Sequence, residues 1–257
     1  MNAVAANNQG VSLEVRGLRR TIKGQPILKG IDLTVRRGEI FVIMGPSGSG
    51  KSMLLKHIIG LERPDEGEIL VEGCSMRAPE TMSRYRLAMV FQSAALLSSL
   101  SVAENVGLYL CEHRLKPPKE IDRIVAEKLE LVGLKGTESL MPNELSGGMQ
   151  KRVAIARALV IEPQLILYDE PTSELDPLRA VSIGREILAL RDRTHATSII
   201  VTHDRDLAFG VADRVAIINE GKILFAGTAE EVHHQPDPVI REFLTVTFKP
   251  INHTEQP

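Results

Sequence analysis

Residues 40–52 read Ile40-Phe41-Val42-Ile43-Met44-Gly45-Pro46-Ser47-Gly48-Ser49-Gly50-Lys51-Ser52. The first five are apolar without a break, which predicts a strand buried on both faces. The next eight have the form G-x-x-x-x-G-K-S, a phosphate-binding loop. Its glycines let the chain curl so that successive backbone N–H groups point at one anion. Lys51 adds a mobile positive charge for the outer phosphates. Ser52 offers a hydroxyl to a magnesium ion bridging those phosphates. Beyond the loop, Leu54, Leu55, Ile58 and Ile59 fall on one side of a helix that stops near Gly60. That helix sets the positive end of its dipole under the same anion. Strand, glycine loop and helix are the context the motif requires.

The bulk properties narrow the field. The 257 residues carry a net charge of −2, which leaves no electrostatic footprint for nucleic acid. Hydrophobic residues at 43% and charged residues at 25% give an ordinary globular balance with an ample core. No apolar stretch approaches the roughly 18 residues of a spanning helix. Met1 to Gly10 is polar and alanine-rich and lacks the apolar segment of a signal peptide. It reads as a flexible N-terminus. Cys74 and Cys111 share no metal-type spacing and are expected to be reduced thiols of a cytoplasmic protein. Any membrane contact is therefore expected to run through a partner.

Alternating polarity predicts antiparallel strands at Val11 to Arg16 and Ile27 to Val35. The basic cluster Arg19, Arg20 and Lys23 between them reads as a solvated turn. Short strands are expected at Glu68 to Val71 and Leu87 to Phe91, the latter ending at Gln92. From Ser101 to about Val160 the pattern is helical, with Ser101 and Glu104 at capping-box spacing. Ile121, Ile124, Val125, Leu129 and Val132 then mark one helix face, and Gly133 its stop. Residues 94–160 thus read as a helical insert in an α/β chain. Strands return at Leu165 to Tyr168 and Thr197 to Val201, and helices at Leu178 to Arg191 and around Leu207. Arg214 to Ile218 and Lys222 to Phe225 form a hairpin around Asn219-Glu220-Gly221. The segment 245–257 reads as a mobile or partner-ordered tail.

Two further stretches carry chemistry. Leu165-Ile166-Leu167-Tyr168-Asp169-Glu170 is an apolar strand ending in two acids. Asp169 can enter a magnesium shell, and Glu170 can polarise a water for attack on a terminal phosphate. Leu145-Ser146-Gly147-Gly148-Met149-Gln150 precedes an amphipathic run. Ser146 suits an N-cap, and the glycines expose the first backbone donors of the next helix. This is a second anion reader without a lysine.

With Gln92, Ser173-Glu174-Leu175-Asp176 and His203 in Val201-Thr202-His203-Asp204, the ordered set resembles an ABC-type ATPase over residues 11–244. The resemblance implies an α/β P-loop NTPase ABC cassette: a RecA-like core, an antiparallel β subdomain and the inserted helical subdomain. It implies two copies of the chain, head to tail, with ATP and Mg2+ between them. One copy's Gly45, Pro46, Ser47, Gly48, Ser49, Gly50, Lys51 and Ser52 would hold each nucleotide. The other's Ser146, Gly147 and Gly148 would close over it. Glu170 would be the general base, and His203 would contact the terminal phosphate. Ser52, Gln92 and Asp169 would serve the metal. Asp176 would lie near the dimer contact.

Three positions depart from the family pattern. Thr21-Ile22 stands where an aromatic residue commonly stacks on adenine, Met149 replaces a frequent glutamine, and Glu174 replaces a small residue. Other stretches look like the Mla-type, MCE-associated lipid-transport ATPases. These are Phe91 to Leu96, Glu104-Asn105-Val106-Gly107 with Glu112-His113, Leu140 to Glu144, and Pro236-Asp237-Pro238 before Arg241, Glu242 and Phe243. That likeness implies membrane permease subunits and an MCE-domain lipid-binding protein; related bacterial systems also carry a small regulatory subunit on the ATPase, and the sequence leaves open whether one binds here. It implies a peripheral position on the cytoplasmic face of the inner membrane. An importer ATPase for a polar solute such as an amino acid, and a non-transport ABC ATPase, remain the alternatives.

Overall fold

The computed structural model describes residues 9–245. Most of the flexible N-terminus and of the tail expected from the sequence lies outside that range. Gly10, at the start, is held: its amide donates to the His195 carbonyl at 2.9 Å.

In chain order the elements are β1 (Leu13–Ile22), β2 (Gln25–Val35), β3 (Ile40–Met44), α1 (Lys51–Ile58), β4 (Glu66–Val71), β5 (Cys74–Ser75), α2 (Pro79–Arg84), β6 (Leu87–Val90), α3 (Val102–Glu112) and α4 (Pro118–Leu131). They continue with α5 (Gly147–Leu159), β7 (Leu165–Asp169), α6 (Pro177–Thr194), β8 (Thr197–Thr202), α7 (Arg205–Val211), β9 (Arg214–Asn219), β10 (Lys222–Gly227), α8 (Ala229–His233) and α9 (Pro238–Thr245). One sheet is antiparallel, in the order β2-β1-β4-β5. The other runs β10-β9-β3-β8-β7-β6 and is parallel except for the β9–β10 hairpin at its edge. This is the α/β architecture the sequence predicts.

The unbroken apolar strands explain the layering. In β3, Ile40, Val42 and Met44 face one core while Phe41 and Ile43 face the other. The neighbours β7 and β8 divide the same way, with Ile166, Tyr168 and Ile200 on the first face and Leu165, Leu167, Ile199 and Val201 on the second. The first face packs against helices from α3 to α7, the second against α1 and the antiparallel sheet. Each of these side chains fully withdrawn from water contributes roughly 1.5–3 kcal/mol before entropy is counted. The parallel order has a functional consequence. The carboxyl ends of β3, β8 and β7 lie side by side, where open α/β sheets bind ligands.

Between Val102 and Leu159 every regular element is helical. Ser101 and Glu104 make the expected capping box: the Glu104 amide donates to Ser101 Oγ at 3.2 Å, and the Ser101 amide to Glu104 Oε2 at 2.7 Å. Helix α4 buries Ile121, Val125 and Leu129, as its period requires. Gly133 follows at φ 70°.

Two expectations are corrected. Strand β1 does not end at Arg16 but runs to Ile22, past a register shift between Val15 and Leu18 that disrupts the alternation. Arg19 and Arg20 therefore lie in a strand rather than a solvated turn. They pair with Glu66, and with Glu62 and Asp65, respectively. Only Lys23 occupies the turn.

Helices α5 and α6 are joined by an ion pair with an acid–base consequence. Arg152 meets Glu186 Oε1 at 2.6 Å and donates to Ser182 Oγ at 2.9 Å. Glu186 Oε2 is buried without a hydrogen-bond partner among the described residues. Burial outweighs the attraction of Arg152 and pushes the Glu186 carboxyl up to about 7. The folded state thus holds this proton more tightly than the unfolded chain does. The resulting stability is complete below the ordinary glutamate range and is lost as pH rises through about 7. The shift corresponds to a few kcal/mol, on the order of 3. Denaturant titrations at about pH 5 and pH 8 are expected to show Glu186→Gln gaining on the wild-type chain at the higher pH. A gap independent of pH would contradict the assignment.

Candidate active site

Residues 45–50 leave the carboxyl end of β3 and curl into α1. Gly45 is required by space: a Cβ there would sit 2.1 Å from the Ile218 carbonyl oxygen. Gly50 is required by conformation, at φ 103°, and serves as the N-cap of α1. The curl aims Lys51 back over the loop. Its ammonium donates to the carbonyls of Gly45 at 2.8 Å and Pro46 at 3.1 Å. Burial lowers the pKa of this ammonium, while Glu170 and Asp169 work the other way. Pro46, Ser47 and Gly48 are exposed at the tip of the loop. Ser49 Oγ is buried and has no hydrogen-bond partner among the described residues.

The acidic pair meets this loop from β7. Ser52 Oγ donates to Asp169 Oδ1 at 2.8 Å. Burial raises the Asp169 pKa, the Ser52 hydrogen bond opposes this, and the Glu170 charge adds to it. Hydroxyl and carboxylate oxygens converging at one point are hard donors suited to magnesium, which takes few protein ligands and keeps phosphate oxygens and waters. Among the described residues no group of three or more His, Cys, Asp or Glu is placed to hold a metal ion.

Glu170 adopts φ 46°, an uncommon conformation for a residue with a side chain. Its amide donates to the Val201 carbonyl at 2.9 Å, which holds the turn. Glu170 Oε2 accepts from the Thr202 hydroxyl at 3.1 Å and the His203 amide at 3.3 Å, and lies 2.9 Å from His203 Nδ1. Glu170 Oε1 lies 3.6 Å from the Lys51 ammonium. A 7% exposed carboxylate is thus fixed between a cation and an imidazole. His203 itself is more than half exposed and free to meet a ligand on its other side.

Not every candidate joins this cluster. Ser146 caps α5 by accepting from the Met149 amide at 3.4 Å, and both Ser146 and Gly147 are exposed. Asp176 caps α6, accepting from the Arg179 amide at 3.0 Å and pairing with its guanidinium at 3.1 Å. Among the described residues, no hydrogen bond or ion pair links Ser146, Gly147, Gly148 or Asp176 to residues 45–52. The Gln92 side chain is exposed at the turn after β6. Ile22 ends β1, half-buried and opposite Gln25.

Other residues hold these parts in place. Asn105, fully buried, accepts from the Leu97 amide at 2.8 Å and donates to the carbonyls of Leu97, Leu100 and Ser101. Arg157 donates to the carbonyls of Ala94 and Ala95, both at 2.7 Å, where the backbone takes positive φ. Thr172 donates to Asp204, the cap of α7, at 2.9 Å. A lone Asn or Arg on a helix gives no sequence signal for such contacts to backbone groups.

Known proteins resemble this chain over most of its length. The family model described as "ABC transporter" matches residues 28–173. The chain is 40% identical over 239 residues to a probable ribonucleotide transport ATP-binding protein, Mkl, of Mycobacterium tuberculosis, covering 91% of this chain and 67% of that protein. It is also 40% identical over 236 residues to the intermembrane phospholipid transport system ATP-binding protein MlaF of Escherichia coli, covering 90% of this chain and 88% of MlaF. Among solved structures, the dimeric post-hydrolysis state of the ATP-binding cassette MJ0796 bound to ADP and Pi superposes with a TM-score of 0.76 at 32% identity. That match covers 84% of this chain and 98% of MJ0796.

Proposed function

The chain belongs to the ABC transporter family, and from that premise we propose that it is the ATP-hydrolysing subunit that drives phospholipid transport between membranes in an MCE-type system. ATP hydrolysis itself follows from the family and from the nucleotide-bound relatives of the fold.

The observation that supports the mechanism is that the glycine-bearing starts of α1 and α5, both read here as anion sites, are not joined within one chain. The loop at 45–52, Lys51 and Glu170 form one cluster; Ser146, Gly147 and Gly148 present exposed or glycine-lined backbone donors elsewhere. A second copy, related head to tail, completes both. In this reading, loop amides and Lys51 bind the phosphates, and the partner copy's α5 dipole covers the terminal one. Ser52 and Asp169, with Gln92, would hold a magnesium ion, which when bound offsets phosphate charge. Glu170 takes the proton of the attacking water, with Thr202 and His203 fixing its carboxylate. The exposed face of His203 meets the terminal phosphate. Asp176 sets the end of α6 at the contact between copies.

The permease is met at the helical insert. A cavity of about 360 Å³ is lined by Met89 of β6, Leu108 and Tyr109 of α3, and Arg157 and Ile161 near the end of α5. A second, of about 670 Å³, shares Tyr109 and Ile161 and extends along α4. Tyr109 and Leu115 are exposed there, and Arg157 ties the groove to the turn after Gln92. A permease segment seated in this groove would feel closure of the two copies through that turn. No helix among the described residues is long and apolar enough to cross a membrane, consistent with peripheral attachment to the cytoplasmic face through permease subunits. An MCE-domain protein and a small regulatory subunit complete the proposed assembly.

The lipid cargo is supported by the likeness to MlaF, which matches nearly end to end. The equal identity to Mkl keeps a polar-solute transporter as the second reading. Purification of the full chain with its membrane partners, followed by transfer assays between vesicles, separates them. The lipid reading expects an MCE-domain protein in the complex and ATP-dependent movement of labelled phospholipid. A soluble solute-binding protein in the complex, with solute uptake and no lipid movement, would contradict it.

A further inference from the structure

We propose that Lys151 is a positioning residue that ties this chain's own catalytic turns to the helix it offers a second copy, so that the two nucleotide sites of a pair fire together. The inference rests on the paired-copy reading above. Lys151 lies on α5, five residues beyond Ser146, and is only 6% exposed. Its ammonium donates to the backbone carbonyl of Gln92 and, at 3.2 Å, to Ser173 Oγ. One side chain thus grips both the turn that follows β6 and the turn that joins β7 to α6. The second of these turns begins at Glu170, whose carbonyl accepts from the Ser173 amide at 3.1 Å.

Burial lowers the Lys151 pKa, while the carboxylates of Glu174, Asp169 and Glu170 favour the charged form. The glycines of the helix start lie near that turn and the first residues of α6. A Cβ on Gly147 would stand 3.7 Å from Leu175, and one on Gly148 3.5 Å from Arg179. Ser146, Gly147, Lys151, Ser173 and Gln92 therefore form one mechanical unit. Movement of α5 onto a partner copy's nucleotide is transmitted through the ammonium to this chain's own Gln92 and Glu170. Coupling of that kind appears as cooperativity in ATP, because each copy reports its neighbour's occupancy to its own base.

Lys151→Met keeps the length and apolar stem and removes the donor; Lys151→Arg keeps a donor and the charge. Steady-state ATPase of the full chain is the readout, with thermal melting to confirm folding. For Lys151→Met the expected result is a kcat lower by about tenfold to a hundredfold with little change in KM. The Hill coefficient should fall from about 2 toward 1. Lys151→Arg should restore most of the rate. A Lys151→Met enzyme with wild-type kcat and Hill coefficient, or one whose loss is carried by KM alone, would overturn the proposal. The Glu170→Gln chain serves as the control. If it pairs on ATP while Lys151→Met behaves as wild type, the coupling proposal alone fails. If it does not pair, the paired-copy reading fails first and takes the proposal with it.

Discussion

Glu170→Gln is expected to bind ATP as well as the wild-type chain while turnover falls by roughly 10²–10⁴-fold. The amide keeps the shape of the side chain, and its oxygen can still accept from the Thr202 hydroxyl and the His203 amide, which now hold Oε2. What it loses is the ability to take a proton from water. It also removes a negative charge 3.6 Å from Lys51, so the ammonium turns wholly to the phosphates. Binding without hydrolysis leaves the closed state with no exit, and paired chains accumulate. Phosphate release and sedimentation with ATP measure the two halves of this expectation. Wild-type turnover in the variant would remove Glu170 from its role.

Lys51→Ala is expected to weaken nucleotide binding by about tenfold to a hundredfold, the value of one charge-assisted hydrogen bond in a sheltered site. Lys51 is 6% exposed and sits inside the loop, so no neighbouring side chain can replace it. In its absence the loop amides and the α1 dipole still favour an anion, which keeps the loss finite. Titration of a fluorescent ATP analogue measures it, with melting of the apo chain as the folding control. Unchanged affinity would count against the reading of residues 45–52.

Most of the parallel core was legible because its strands are buried on both faces. Ile40 to Met44, Leu165 to Leu167 and Ile199 to Val201 are unbroken apolar runs, even though Thr197, Ser198 and Thr202 are buried beside the last. The proposed site was legible for a related reason: phosphate chemistry leaves little choice of residue at Lys51, Ser52, Asp169 and Glu170, which the structure brings together. The antiparallel sheet was harder. Strand β1 changes register near Gly17, so its alternation fails midway although its pairing does not. The two-residue β5 and the single-turn scale of α2 are too short to show any period. The capping box of α8, Thr228 with Glu231, stands in the sequence but marks only five residues. Lys151, Asn105 and Arg157 were illegible for a different reason. Each binds backbone carbonyls, Lys151 and Arg157 those of turns distant in the chain and Asn105 those of the loop just before its helix, and a carbonyl carries no sequence identity.

In the proposed pair two copies share each nucleotide, and disulfide-free crosslinking addresses that directly. Cys74 and the exposed Cys111 are first replaced by serine in the Glu170→Gln chain. Ser47→Cys in one population and Ser146→Cys in another then place single thiols on the exposed phosphate loop and on the start of α5. Mixed and treated with a short bifunctional thiol reagent, they should yield a crosslinked pair with ATP and little without it. Absence of that pair at saturating ATP, with both thiols shown to be reactive, would contradict the shared site.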